Sequence, residues 1–172
     1  HEPSGDLRRL IEAIEAQWPS RVTAPISCEL HVLKQLQKTL RAGKWQVTIA
    51  LRSGCQIVAI WPGLKEQILG AAIDVGSTTM SAHLCDMNNG QVLASTGIMN
   101  PQIRFGEDLM SRVSYGLMNP GGAQEMTAAV REGLQQLITG GAEQAGFTAL
   151  DVLEVVLVGT PVMHHLLLDI ET

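Results

Sequence analysis

Three stretches between Leu69 and Met99 alternate apolar and polar residues, and the breaks between them are too short for anything but tight turns. "LGAAIDV" passes through "GST" into "TMSAHLCDM", where Met80, Ala82 and Leu84 alternate with Ser81 and His83. "NNG" at 88–90 then leads into "QVLASTGIM". Alternation of period two sends one set of side chains to a core face, and an Asn-Gly pair supplies the positive φ that a tight hairpin requires. The pattern predicts three consecutive antiparallel strands. The rest of the chain must then cover this meander or extend it.

The following residues do both. "NPQIRFGEDLMSRVSYGLMNPGG" begins as a loop and becomes a helix around Glu107 and Asp108, whose charges suit a helix N-terminus. A longer helix follows with Met126, Val130, Leu134, Leu137 and Ile138 on one face. "EVVLVG" reads as a buried strand ending at Gly159, and Pro161 is placed to start a last helix, "VMHHLLLDI". The order is βββααβα.

The first third has a different pattern. Leu7, Leu10, Ile11, Ile14 and Trp18 fall at helical spacing behind Ser4 and Asp6, either of which can cap a helix, and Pro19 stops it. Leu30, Leu33, Leu36 and Leu40 define a second helix that ends at Gly43, read as a left-handed cap. In "KWQVTIAL", Trp45, Val47, Ile49 and Leu51 alternate with more polar neighbours; Arg52, Ser53 and Gly54 form a turn, and "CQIVAIW" returns. Trp61-Pro62-Gly63 closes this hairpin, which sets a domain boundary near residue 67. The fold class expected is therefore α/β, with a small α+β module over 1–67; over 68–172 the order βββααβα resembles an actin-like, ribonuclease H-like half-lobe.

Composition excludes several functions. With 12 Lys plus Arg against 17 Asp plus Glu, the net charge of -5 and the lack of a basic cluster argue against nucleic acid as partner. Cys28, Cys55 and Cys85 lie far apart with no C-x-x-C pair; they read as buried thiols of a reducing compartment, one short of the four thiolates an iron–sulfur cluster usually takes. The charged opening "HEPSGDLRRLIEAIEAQW" has no signal-peptide core, and no stretch is apolar enough to span a bilayer, so the chain reads as cytoplasmic without a membrane partner. The seven methionines are scattered and read as core filling.

The stretch with chemistry in it is "AIDVGSTT". Taken alone, Gly76 makes a hairpin turn and Asp74 caps it, or else Gly76 lets backbone N–H groups converge on a phosphate by tolerating positive φ. In the second reading Ser77, Thr78 and Thr79 add hydroxyls, and Asp74 holds Mg²⁺ through water, as a hard, hydrated cation prefers. Position between two strands of a meander favours the phosphate reading, because that is the place of the first phosphate site in the acetate and sugar kinase, heat-shock chaperone and actin superfamily. Asn100, Gln102, Asp108, Ser111 and Arg112 are polar residues of a loop-to-helix entry. They line a cleft or partner surface, or serve structure, with Asp108 as a cap and Arg112 paired to Glu107 or Asp108. His164 and His165 are neighbours about 100° apart on a helix and cannot chelate one metal together; one reads as a core histidine and the other, with Gly159 and Thr160, as a cleft candidate.

Together "AIDVGSTT", "NPQIRFGEDLMSRVSYG" and "VLVGTPVMHHLLL", in this order, resemble the ATPase domain of the reductive activators of corrinoid proteins. "LRSGCQIVAIWPG" and the helix near the start resemble the middle domain that precedes it. The resemblance implies that the chain is an internal piece of a protein with an N-terminal [2Fe-2S] domain. It further implies use of ATP and Mg²⁺ to return a Co(II) corrinoid to Co(I), on a corrinoid protein or corrinoid-dependent methyltransferase as partner, and it leaves room for a homodimer. Nucleotide would contact Asp74, Gly76, Ser77, Thr78 and Thr79. Where the family has Gly-Asn-Thr-Thr, this chain has Gly159-Thr160-Pro161-Val162, which loses an amide and one or two hydroxyls that could face the cleft. Two competing readings are a small-molecule kinase of the same superfamily, which lacks an evident catalytic aspartate after "VVLVG", and a non-catalytic interaction module.

Overall fold

A computed structural model describes residues 5–170. The chain divides into two compact units, His1–Glu66 and Gln67–Thr172. Secondary structure is mixed α and β in both, as the fold class anticipated.

In the first unit, helix α1 (Asp6–Gln17) and helix α2 (Leu30–Ala42) accompany a three-stranded sheet of β1 (Ser27–Cys28), β2 (Val47–Arg52) and β3 (Gln56–Pro62) in the order β1-β3-β2. Strand β1 runs parallel to β3, and β2 antiparallel to it. Leu10 and Ile14 of α1, Val32, Leu36 and Leu40 of α2, and Ile57 and Ile60 of β3 form the core.

Several expectations for this unit are corrected. Gly5 stands at the N-cap of α1 with no side-chain cap, and Asp6 is the first helical residue; Ser4 lies outside the described residues. The buried face of α2 is Val32, Leu36, Thr39 and Leu40, while Leu30 and Leu33 are 66% and 44% exposed. At about 100° per residue, Leu30 lies about 120° around the helix from Leu36, too far to share its face. Gly43 is not left-handed, having φ -81°; the positive φ values fall on Lys44 (51°) and Trp45 (69°). Glycine is required at 43 by crowding instead, since a Cβ there would strike the Gln46 carbonyl oxygen. Trp45 consequently stays outside the strand, which starts at Val47.

In the second unit, β4 (Leu69–Val75), β5 (Thr79–Asp86) and β6 (Val92–Met99) form the antiparallel meander. A 3₁₀ turn (Pro101–Phe105), helices α3 (Leu109–Met118) and α4 (Gly122–Gln144), a second 3₁₀ turn (Ala149–Asp151), β7 (Val152–Gly159) and α5 (Pro161–Leu168) follow. Strand β7 joins β4 in parallel, giving the sheet order β6-β5-β4-β7. Ala71, Ile73 and Val75 of β4 and Met80, Ala82 and Leu84 of β5 pack with Met126, Val130 and Leu137 of α4 and Met163, Leu166 and Leu167 of α5. Leu134 and Ile138 complete the α4 face as partly buried neighbours. The Thr127 hydroxyl donates to the Leu166 carbonyl at 2.7 Å and fixes α5 against α4.

Strand β7 is not buried as "EVVLVG" suggested. Among the described residues it has one neighbour, β4, and Val156 and Val158 are 57% and 56% exposed. An apolar run marks strands of parallel sheets without telling whether both faces or both edges are covered within a given span.

Candidate phosphate site

Alternation along β4 buries Ile73 and Val75 and places Asp74 on the face away from the core, exposed and in register with Ser81 of β5 and Val158 of β7. Asp74 makes no ion pair among the described residues. Strand β4 then gives way to Gly76, Ser77 and Thr78, which connect it to β5. Gly76 is needed here for a reason other than the positive φ expected, since its φ is outside the left-handed range. A Cβ at 76 would collide with the Thr79 carbonyl oxygen, so the turn closes only around glycine.

The turn is held from its buried side. Asn100 Nδ2 donates to the Gly76 carbonyl at 2.8 Å, Arg112 Nη2 to the Ser77 carbonyl at 2.6 Å, and the Asn100 amide to the Thr78 carbonyl at 2.8 Å. In a trans peptide the C=O and the following N–H point to opposite sides. With three successive carbonyls drawn inward, the amides of Ser77, Thr78 and Thr79 are turned the other way. Neither the Ser77 nor the Thr78 amide or hydroxyl has a hydrogen-bond partner among the described residues. Successive outward N–H groups around a glycine make a concavity suited to an anion.

Asn100, Gln102 and Arg112 are 1%, 0% and 0% exposed, so they support the turn from within and offer no open surface. Asn100 Oδ1 accepts from the Gln102 amide at 2.9 Å, which caps the 3₁₀ turn, and Gln102 Nε2 donates to the Met126 carbonyl of α4 at 3.0 Å. Arg112 also donates from Nε to the Gly106 carbonyl at 2.8 Å, and Nη1 lies 3.9 Å from Met163 Sδ of α5. It forms no ion pair with Glu107 or Asp108. Burial pulls its guanidinium below the ordinary arginine value, with the Asp108 charge acting in the opposite sense.

Asp108 is the α3 cap: Oδ1 accepts from the Ser111 amide and Oδ2 from the Ser111 hydroxyl, both at 2.8 Å. These bonds, the backbone one foremost, hold its carboxyl below the usual range. Gly159 pairs with Val75, which sets the carboxyl ends of the parallel strands β4 and β7 side by side, a common place for ligands in α/β sheets. Thr160 is the exposed N-cap of α5, and a Cβ on Gly159 would sit 3.0 Å from the Val75 carbonyl. His164 is exposed on α5 and His165 half-buried. His83 Nδ1 meets Ser95 Oγ at 2.8 Å across β5 and β6, an exposed cross-strand pair.

The fold and this turn define an α/β unit whose first two strands are joined by a loop held from its buried side. Two family models match the chain: the RACo linker region over residues 1–67 and the RACo middle region over 69–172. The chain belongs to the RACo family. It is 28% identical over 166 residues to "Corrinoid activation enzyme RamQ" of Eubacterium limosum, covering 95% of this chain and 26% of that protein. It also matches the solved structure of a "Reductive activator for corrinoid,iron-sulfur protein" with a TM-score of 0.77 and 32% identity, covering 99% of this chain and 27% of that one. The chain thus spans about a quarter of the length of these relatives. Among the described residues no helix is long and apolar enough to cross a membrane.

Proposed function

We propose that this chain is the part of a corrinoid activator that receives the phosphates of ATP, with residues 68–172 forming the first part of an actin-like ATPase domain. The observation that carries the reading is the inverted turn, with the carbonyls of Gly76, Ser77 and Thr78 bound inward and the Ser77 and Thr78 amides without a partner among the described residues. Asp74, exposed beside it and without an ion pair among the described residues, fits a hydrated Mg²⁺ that neutralises phosphate charge. The hydroxyls of Ser77, Thr78 and Thr79 are further donors, and Gly159 and Thr160 border the same sheet end.

In the full-length protein, ATP binding and turnover bias a conformation that lets a low-potential electron pass from a [2Fe-2S] domain outside this chain to a Co(II) corrinoid, giving Co(I). The names of the two relatives support corrinoid activation as the task. The partner is a corrinoid protein or corrinoid-dependent methyltransferase, and the compartment is the cytoplasm. The test is Asp74→Ala in the full-length protein, followed by the absorbance change of the partner's corrinoid on reduction. ATP-dependent formation of Co(I) should fall to background; a wild-type rate would remove Asp74 from the site.

A further inference from the structure

A phosphate site explains what faces outward from the turn, yet a cation and a carboxamide are buried behind it. Burying a guanidinium is costly unless its charge is compensated. Arg112 is fully buried with no carboxylate in contact among the described residues; its acceptors are the Ser77 and Gly106 carbonyls, with the weakly accepting Met163 thioether beside Nη1. Carbonyl dipoles and the Asp108 charge offset part of the guanidinium charge from within the fold. Asn100 is equally committed, since its side-chain amide and its backbone N–H grip the carbonyls on either side of the one Arg112 holds.

Resting on the reading of the turn as a phosphate site, we infer that Asn100 and Arg112 are its positioning residues. By donating to the carbonyls of Gly76, Ser77 and Thr78 from the buried side, they hold the amides of those peptides toward a polyphosphate, and the Arg112 cation attracts it from behind. The two residues act through the turn and touch no phosphate. Arg112 also bridges the turn to Gly106 and to α5 through Met163, so loss of the guanidinium loosens three segments at once.

Two substitutions separate the contributions. Asn100→Ser keeps a hydroxyl that can cap the 3₁₀ turn but is too short to reach the Gly76 carbonyl. Arg112→Lys keeps the charge and loses the planar fork, whereas Arg112→Met removes both at similar volume. The experiment is calorimetric titration of the full-length protein with Mg·ATP at several ionic strengths, with hydrogen exchange measured by mass spectrometry over residues 75–80. Asn100→Ser should weaken binding about tenfold, one well-placed hydrogen bond in the tenfold-per-1.4 kcal/mol relation. Arg112→Met should weaken it more and flatten the salt dependence, because a charge has been removed from the anion's surroundings. Arg112→Lys should fall between and keep the wild-type salt slope, which loss of packing alone would not produce. In each variant the protection that Mg·ATP confers on 75–80 should shrink.

If wild type binds Mg·ATP and Asn100→Ser and Arg112→Lys bind it with unchanged affinity, the positioning role is overturned and the phosphate site stands. If wild type does not bind Mg·ATP and 75–80 gains no protection, the phosphate reading fails and takes the inference with it. Should Arg112→Met not fold, Asn100→Ser and Arg112→Lys decide the matter alone.

Discussion

Two of the short connections between antiparallel strands, β2 to β3 and β4 to β5, are built in opposite ways. Between β2 and β3, Ser53 and Gly54 both take positive φ (50° and 70°), the Cys55 amide bonds back to the Arg52 carbonyl at 3.2 Å, and the Ser53 carbonyl is taken by the Thr23 hydroxyl at 2.8 Å. This is the twist-matched hairpin geometry, stabilised largely by its own backbone. Between β4 and β5, three carbonyls are satisfied by residues that lie 22 to 35 positions further along the chain, and the Ser77 and Thr78 amides have no hydrogen-bond partner among the described residues. The first connection ends a strand. The second is held open at the expense of two buried polar side chains, an arrangement that makes physical sense if the open side receives something.

Gly76→Ala should break the comparison most severely. A methyl group there meets the Thr79 carbonyl, so the turn must move. Misplacing a binding group by about 1 Å can cost roughly a hundredfold in rate, and ATP-dependent corrinoid reduction by the full-length variant should fall by that order. Activity within a fewfold of wild type would mean that the turn is only a connection. Gly54→Ala is the matched experiment. It strains a positive-φ position and crowds the Arg21 carbonyl, so it should destabilise the first unit by about 1–3 kcal/mol while leaving Mg·ATP affinity unchanged. Intrinsic probes separate the units: Trp18, Trp45 and Trp61 all lie in the first, and the single tyrosine, Tyr115, lies in the second. Gly54→Ala should therefore lower the denaturation midpoint read by tryptophan fluorescence.

Much of this was legible in the residues. Period-two alternation and two turn signals sufficed for the meander, because a register slip would have moved Ile73, Met80 and Leu84 off the core face. Asp108 was recognisable as a cap from its position alone. The position of Asn100 and Arg112 behind the turn was not legible, because hydrogen bonds to a backbone 24 and 35 residues away leave no local periodicity. The only signal was that "NPQIRFGEDLMSR" is long, polar and without a generic structural explanation. The α2 leucine series does not coincide with the buried face for a related reason: that face is set by angle and includes Val32 and Thr39. Gly76 is legible as a turn residue, but its physical cause, the close approach of the Thr79 carbonyl, exists only in the folded chain.

A smaller effect sharpens the same contrast through pH. Asp108 caps the helix that presents Arg112 to the turn, and its bonds to Ser111 lower its pKa from the ordinary 3.8. A carboxyl whose folded pKa lies below its unfolded one binds fewer protons in the native state. Its stabilising contribution is therefore complete above the unfolded value and is lost as pH falls through the folded one. Acidification below about pH 4 should loosen α3 and, with it, the grip of Arg112 on Ser77, while the hairpin at Ser53-Gly54, which has no carboxylate in its turn hydrogen bonds, stays closed. The measurement is the denaturation midpoint between pH 6 and pH 3 for wild type and Asp108→Ala, read separately through Tyr115 and the tryptophans. Wild type should lose more of its Tyr115 midpoint than Asp108→Ala across that range, and the tryptophan midpoints should shift equally in both. Equal acid sensitivity of the Tyr115 signal in the two proteins would show that the cap does not brace the turn.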